Sequence, residues 1–374
     1  MLNKEKYNVP QRFLDHPLFN EKIMGMNFGF LCKRGFYDTD YAKAQPAEMA
    51  KMGVNWTTLN ANLCMENFHT PRVFLDFEYS SGEQELIDMA KRLHDNGVRV
   101  LLKPCLTPLD GAHMGAMSWP RDNDKTQIAG LVLDNWKRFF HSYGESMKYF
   151  GDLAEKMGAE TMLVGAENFG LEQWSDHWRT VIQGVRETYS GPISYEFVPR
   201  SIDANPLDWF EDLDYLSYSY YVPARPRNRA KNDYVNPMAP NTPVQTVDAM
   251  VEYLSSRPAV IDWICEHFGS KPIVFTEMGC RSARGVTQAP QNFRWESWYD
   301  GDEQANYMEA CMRTFWDMEN YLGMFWWKWD ERQYRAHYHA DPAGEMGFTI
   351  QGKPAEQVFK RWAAKAREEN TFGK

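Results

Sequence analysis

The chain has 374 residues, of which 43% are hydrophobic, and it carries a formal net charge of −10 at pH 7. This is enough apolar material for a large buried core, and a barrel of alternating strands and helices is a common way to hold so long a chain in one domain. The acidic balance provides no basic field for a phosphate backbone, so nucleic acid is excluded as an expected partner.

Three further features narrow the class of protein. The 14 Trp and 19 Tyr exceed what a core demands, because their polar tips need partners, so some should line an open cleft. The six cysteines are scattered without a CxxC pair, which is typical of reduced thiols. Residues 1–10 lack the apolar run of a secretory signal, and no stretch approaches the roughly 18 apolar residues of a membrane span. We therefore expect a cytoplasmic protein with no membrane partner; nothing in the sequence specifies an oligomeric state.

Apolar runs typical of strands recur along the chain, and a helical pattern follows each of them. The expected strands are residues 23–30, 53–59, 98–104, 161–166, 193–198, 213–220, 272–276 and 324–329. The longer expected helices are residues 128–157, 171–189, 246–268, 302–321 and 354–367, with short ones at 46–52 and 206–212. One more helix follows Ser81, where Ser81 and Gln84 predict a capping box. Eight strand-helix units predict a single-domain (β/α)8 TIM barrel over residues 1–374.

The main irregular stretch is residues 223–243, which follows the sixth strand and is rich in proline and basic residues. We interpret it as a long loop over the barrel mouth. Its charges are typical of a solvated loop, so it receives no catalytic assignment.

Two glutamates lie where barrel enzymes place their chemistry, at the carboxyl ends of strands. Glu167 ends the fourth expected strand and Glu277 ends the seventh. A protonated carboxyl that donates to the leaving oxygen and an ionised one that attacks the anomeric carbon are the pair that glycosidic cleavage needs, and a separation of about 5 Å means retention. The alternative for either glutamate alone is a structural ion pair.

The placement of these glutamates resembles the clan A retaining (β/α)8 glycosidases, and the local motifs are similar to glycoside hydrolase family 113. The matching pieces are GMNFG at 25–29, GVNW at 53–56, LKP at 102–104, VGAE at 164–167, KPIVFTEMGCRS at 271–282, FWWKW at 325–329 and GKPAE at 352–356. The resemblance implies hydrolysis of β-1,4-linked plant polysaccharide, chiefly mannan, or of its oligosaccharides. It also implies that Glu167 donates the proton and that Glu277 forms the glycosyl-enzyme.

The sequence departs from the clan pattern at two positions. Many members have Asn before the acid/base, donating to the sugar 2-hydroxyl, where this chain has Ala166, so we expect Asn168 or Asn60 to make that contact. Cys105 stands where related sequences often carry His. Lys103, in the LKP motif, is a further candidate for substrate binding.

Aromatic residues supply candidates for stacking on a sugar ring. In the eighth strand, Trp327 should face opposite to its neighbours Trp326 and Trp329, which predicts either a sugar platform or barrel packing. Weaker candidates in loops are Trp119, Trp174 and Trp295.

Tyr218 and Tyr220 lie at the end of the sixth strand. Either phenol would stabilise an ionised nucleophile by donating a hydrogen bond to it. The alternative for both is packing in the core.

A short HxHxD string, His337, His339 and Asp341, raises the question of a metal. It follows the last strand in a loop, whereas barrel metallohydrolases place HxH on the first strand, so a substrate contact or a surface role is favoured. We expect no metal and no cofactor.

Two other functions stay open from the sequence, and a third is disfavoured. A β-glycosidase of the same clan would act on xylan or gluco-oligosaccharides, and a barrel without catalysis would only bind saccharide. A phosphate-handling barrel needs a glycine-rich cradle, for which Gly279 and Gly285 beside Arg281 are too little. Endo and exo cleavage are equally compatible with these motifs.

Overall fold

The computed structural model describes residues 2–118, 125–128, 131–198, 207–226, 244–293, 297–329 and 346–372. The strands are β1 (Ile23–Phe28), β2 (Trp56–Met65), β3 (Arg99–Pro108), β4 (Lys125–Ile128), β5 (Leu131–Asp134), β6 (Thr161–Ala166), β7 (Ile193–Phe197), β8 (Leu216–Tyr220), β9 (Ile273–Met278) and β10 (Tyr321–Trp326). The α-helices are α1 (Asp40–Met52), α2 (Glu83–Asp95), α3 (Asn135–Met157), α4 (Ser175–Arg186), α5 (Val247–Leu254), α6 (Arg257–His267), α7 (Gly301–Phe315) and α8 (Pro354–Phe372). None of the helices in this part of the chain is long and apolar enough to cross a membrane.

Eight of the strands form a closed barrel in the order β1-β10-β9-β8-β7-β6-β3-β2. The described registers, such as β1 with β10 and β6 with β7, are parallel. The strands are buried along almost their whole length, as expected for parallel strands that are covered on both faces. Helices alternate with the strands, so the predicted (β/α)8 TIM-barrel fold class is confirmed.

By compactness the chain divides into two units. Unit 1 comprises Met1–Phe28, Ala47–Thr57 and Ser219–Lys374, and unit 2 comprises Gly29–Pro46 and Thr58–Tyr218. In unit 1 aromatic rings fill the layer between strands and helices. The Tyr220 ring lies 4.4 Å from that of Phe275, and both rings contact Phe315 of α7.

In unit 2 the longest helix, α3, has clear signals at both ends. The Asp134 carboxylate accepts from the Lys137 N–H at 3.1 Å and caps the first turn, and Gly158 ends the helix in the left-handed conformation. The apolar face of α3 packs on β6, where the Tyr143 hydroxyl donates to the Val164 carbonyl at 2.8 Å. Helix α3 therefore supports the strand after which Glu167 lies.

Three of the predicted helices are wrong in part, and one of them, expected at 46–52, begins earlier, at Asp40, with Pro46 in its interior. The helix expected at 128–157 begins only at Asn135, because a hairpin of β4 and β5 precedes it and its β-branched residues favour extended backbone. The helix expected at 246–268 is two helices, α5 and α6. Pro258 lies in the first turn of α6, and it lacks the N–H that an uninterrupted helix requires.

The start of α2 also differs from the expected capping box. The N-cap is Gly82 rather than Ser81, and the Glu85 carboxylate, not the Gln84 amide, accepts from the Gly82 N–H. The Glu85 carboxylate also accepts from the Gly35 N–H at 2.9 Å. The first turn of α2 is thereby tied to the loop after β1.

Candidate active site

Glu277 lies on β9, one residue before the strand ends, and its side chain is nearly buried. The Tyr221 hydroxyl donates to Glu277 Oε2 at 3.0 Å. A phenol that donates to a carboxylate favours the ionised form of that carboxylate. The pair is therefore suited to hold Glu277 charged.

The expected role of Tyr218 and Tyr220 as donors to Glu277 is wrong, because the phenol that donates is Tyr221. Tyr220 is packed between rings of unit 1, as described above, and the Tyr218 ring lies 4.5 Å from that of Phe197. Side chains two residues apart share one face of a strand, and here that face packs on aromatic rings rather than on Glu277. Tyr221 directly follows β8, and its side chain points to the face opposite that of Tyr218 and Tyr220. The same alternation could therefore have identified Tyr221 from the sequence.

Glu167 follows β6 directly, with φ +51°, and its N–H donates to the Glu196 carbonyl of β7 at 2.8 Å. This left-handed conformation, uncommon for a residue other than glycine, turns the chain sharply as it leaves the strand. His113 Nε2 lies 3.3 Å from Glu167 Oε2. His113, in the loop after β3, was not among the residues predicted from the sequence.

A buried ion pair lies beside Glu167. The Lys103 ammonium donates to both oxygens of Glu196, at 2.8 and 2.9 Å, and the side chains are 1% and 0% exposed. A Glu196 carboxylate oxygen lies within 4.8 Å of one from Glu167. Lys103, predicted to bind substrate, is therefore engaged with Glu196. Glu196 was not among the residues predicted from the sequence. The signal that could have identified it is a single glutamate inside the buried strand ISYEF.

Asn60 and Cys105 come together on the neighbouring strands β2 and β3. The Asn60 amide donates to Thr58 Oγ1 at 3.2 Å, and Cys105 Sγ lies 3.5 Å from Asn60 Oδ1. All three side chains are buried. Cys105 is therefore a buried thiol that contacts Asn60, a candidate substrate-binding residue.

The Asn168 side chain is hydrogen-bonded to the backbone at the end of β6. It is fully buried, and Oδ1 accepts from the Ala166 N–H at 3.2 Å. The same oxygen also lies close to Gly165. A Cβ added at Gly165 would lie 2.9 Å from Asn168 Oδ1 and 3.0 Å from the Tyr143 hydroxyl oxygen. The turn at Glu167 therefore directs Asn168 Oδ1 back onto the end of β6, and its sugar contact stays a prediction.

Of the tryptophans at the end of β10, Trp326 and Trp329 are buried, whereas Trp327 is partly exposed. Trp326 Nε1 donates to the Phe348 carbonyl at 2.9 Å, and the Trp327 N–H donates to the Met278 carbonyl at 2.8 Å. Lys328 Nζ lies 5.2 Å from the Trp327 ring centroid. The backbone of Trp327, whose indole is the partly exposed one of the three, is thus hydrogen-bonded to the strand that carries Glu277.

Several candidates have other surroundings or lie outside the described residues. The Trp174 ring is half-buried and packs 4.7 Å from the Trp136 ring. The candidates outside the described residues are Trp119, Trp295, His337, His339, Asp341 and residues 227–243 of the predicted loop.

Comparison with known proteins gives a family match. The model of Glycoside Hydrolase Family 113 matches residues 26–353. The chain is 26% identical to the GH113 β-mannanase of Alicyclobacillus acidocaldarius, with a TM-score of 0.76 and coverage of 93% of this chain and 99% of that one. A second structure described as a GH113 β-1,4-mannanase is 24% identical, with a TM-score of 0.73 and coverage of 92% and 99%.

More distant structures share the fold. A family 5 mannosidase from Rhizomucor miehei is 13% identical, with a TM-score of 0.61 and coverage of 94% of this chain and 95% of that one. No curated protein sequence matches the chain.

Proposed function

Because the chain belongs to glycoside hydrolase family 113, we propose that this glycoside hydrolase cleaves β-1,4-linked manno-oligosaccharides or mannan with retention, through a covalent glycosyl-enzyme. The observation that carries the proposal is a pair of strand-end glutamates, each with a polar partner: the Tyr221 hydroxyl donates to Glu277, and His113 Nε2 lies 3.3 Å from Glu167 Oε2. The sugar follows from the two GH113 structures, which are described as β-mannanases. We further propose that the whole chain is one catalytic barrel.

In this proposal Glu277 is the nucleophile. Its carboxylate attacks the anomeric carbon, and the bond to the leaving oxygen breaks as the bond to Glu277 forms. The Tyr221 phenol supports this role, because a hydrogen bond donated at 3.0 Å stabilises the ionised carboxylate without transferring a proton to it.

Glu167 is the proposed acid/base. In the first step its carboxylic acid gives a proton to the departing glycosidic oxygen. In the second step the resulting carboxylate takes a proton from the water that attacks the glycosyl-enzyme, which restores the acid and frees Glu277. The nearby Glu196 carboxylate is paired with the Lys103 ammonium, so its repulsion of an ionised Glu167 is offset as long as Lys103 is present.

Asn60 and Trp327 are the proposed contacts to the sugar. The Asn60 amide, beside Cys105, takes the place of the missing Asn at position 166 as donor to the sugar 2-hydroxyl. The partly exposed Trp327 indole provides an apolar face for the C–H groups of a pyranose. Lys103 has a supporting role through Glu196.

The test is incubation with β-1,4-linked manno-, xylo-, gluco- and galacto-oligosaccharides of graded length. Product sizes identify the sugar and separate endo from exo cleavage, and the anomer first released, followed by NMR, reports retention. The Glu277→Ala variant, purified in the same way, controls for contaminating hydrolases.

We expect fastest cleavage of the manno-series with release of the β-anomer. Faster cleavage of the xylo- or gluco-series would refute the sugar assignment and leave the catalytic pair in place. Binding without cleavage of any series would refute hydrolysis by this barrel.

A further inference from the structure

The two ring nitrogens of His113 have different partners, and one of these partners is Glu167. His113 Nε2 lies 3.3 Å from Glu167 Oε2, and the other ring nitrogen, Nδ1, accepts from the Gly115 N–H at 3.0 Å. A neutral imidazole that accepts at Nδ1 carries its proton on Nε2. The ring nitrogen that carries the hydrogen of a neutral His113 is therefore the one that lies 3.3 Å from Glu167 Oε2.

The imidazole is fixed in this place by the packing of two loops of unit 2. Its ring stacks on Phe169, with centroids 5.7 Å apart and an interplanar angle of 22°. A Cβ on Gly115 would come within 2.0 Å of the Phe169 ring, and one on Gly170 within 2.0 Å of the Met117 carbonyl. Both glycines are thus needed for the loop that carries His113 to lie directly on the segment after Glu167.

A distance of 3.3 Å is long for a hydrogen bond to an ionised carboxylate, which is usually about 2.7–2.9 Å. As the proposed acid, Glu167 holds a proton before the first step. When Glu167 transfers that proton to a leaving group, its charge grows, and the bond from His113 becomes charge-assisted and shorter. An interaction that strengthens along the reaction lowers the barrier, whereas one of constant strength does not.

We propose that His113 is a positioning residue for Glu167, whose Nε2–H stabilises the charge that develops on Oε2 as the acid proton departs. Because Oε2 faces the imidazole, the proton to be transferred resides on Oε1. The inference rests on the proposed role of Glu167 as acid/base. Its consequence is that His113 matters only for substrates whose leaving group needs a proton.

The test compares kcat/KM for mannotetraose and for 2,4-dinitrophenyl β-mannobioside, or for their counterparts in the sugar that the oligosaccharide panel selects. The dinitrophenolate leaves without a proton, so it bypasses Glu167 in the first step. His113→Phe keeps a ring on Phe169 but removes the donor, and His113→Gln keeps an N–H near the position of Nε2. Phe169→Leu keeps the donor but loosens the stacking that holds it, so its loss should be selective for mannotetraose and smaller than that of His113→Phe.

For His113→Phe we expect a loss of about tenfold in kcat/KM on mannotetraose, equivalent to about 1.4 kcal/mol, and less than about twofold on the aryl substrate. His113→Gln should recover most of the loss. His113 is more than half exposed, so neither variant should unfold the protein.

An equal loss on both substrates, or an equal loss in His113→Phe and His113→Gln, would overturn the inference, because each points to loop packing instead. Unchanged activity in His113→Phe would overturn it as well. Glu167→Ala, measured in parallel, separates the two hypotheses. If Glu167→Ala shows no selectivity for the leaving group, the proposed function fails; if it does and His113→Phe does not, only the inference about His113 fails.

Discussion

Replacing Lys103 by Met should destabilise the protein far more than the loss of one surface charge would. The Lys103 ammonium lies 2.8 Å from Glu196 Oε1, and neither side chain is more than 1% exposed. Removing the cation leaves the Glu196 carboxylate buried without it, which costs about 3–5 kcal/mol in such pairs. With 374 residues and an unfolding entropy of about 2.1 cal/mol/K per residue, the melting temperature should fall by about 4–6 °C.

Two matched variants isolate the effect of burial. Lys148→Met breaks an ion pair with the same 2.8 Å distance to Glu187, but its side chains are 37% and 66% exposed, so it should destabilise the protein far less than Lys103→Met does. Lys103→Met combined with Glu196→Leu removes both charges and should be more stable than Lys103→Met alone. Thermal and urea unfolding of the four proteins measure these differences. Equal losses for Lys103→Met and Lys148→Met would refute the reasoning.

The Lys103→Met substitution should also change the pH dependence of activity. An uncompensated Glu196 carboxylate, with an oxygen within 4.8 Å of one from Glu167, makes it harder for Glu167 to release its proton. The alkaline limb of the kcat/KM profile should therefore move to higher pH in Lys103→Met and stay in place in Lys148→Met. A limb that moves to lower pH in Lys103→Met would contradict the proposed effect of Glu196 on Glu167.

Four other outcomes are expected. Glu277→Ala should abolish turnover with an unchanged circular dichroism spectrum, because the anomeric carbon then lacks a nucleophile, and near-normal rates in that variant would end the hypothesis. Glu167→Ala should slow poor leaving groups far more than activated aryl ones, as only the former need a proton; an equal loss on both would contradict the role. Tyr221→Phe removes the 3.0 Å donor to Glu277 and should lower kcat about tenfold or more, measured against wild type on one aryl glycoside; a rate within twofold would show that the bond is dispensable. Treatment with EDTA should leave activity unchanged, since two carboxyls suffice for the reaction, and a loss that added metal restores would revive a metal role for the HxHxD string.

The strands were the easiest feature to predict. The run at 161–166 is observed with the same bounds as β6, and 193–198 differs from β7 by one residue. Parallel strands covered on both faces are continuous apolar runs, and this signal is local. The helical period was less reliable where a β hairpin or a proline interrupted it, as before α3 and between α5 and α6.

The positions of Glu167 and Glu277 followed from the sequence, because a glutamate that ends an apolar strand of a barrel is at the carboxyl end wherever the barrel closes. The family resemblance added their roles, and the family match at residues 26–353 supports it.

The partners of these glutamates were decided only by the tertiary structure. Tyr221 and Glu277 are 56 residues apart in the chain, and Lys103 and Glu196 are 93 apart. No periodicity links residues so distant; their contacts depend on strand register and on the paths of loops. A shift of one residue exchanges the two faces of a strand, so Tyr220 packs against Phe275 while Tyr221 reaches the carboxylate. His113 lies on a loop, where sequence patterns do not define direction, and only the packing of that loop on Phe169 brings its imidazole to Glu167.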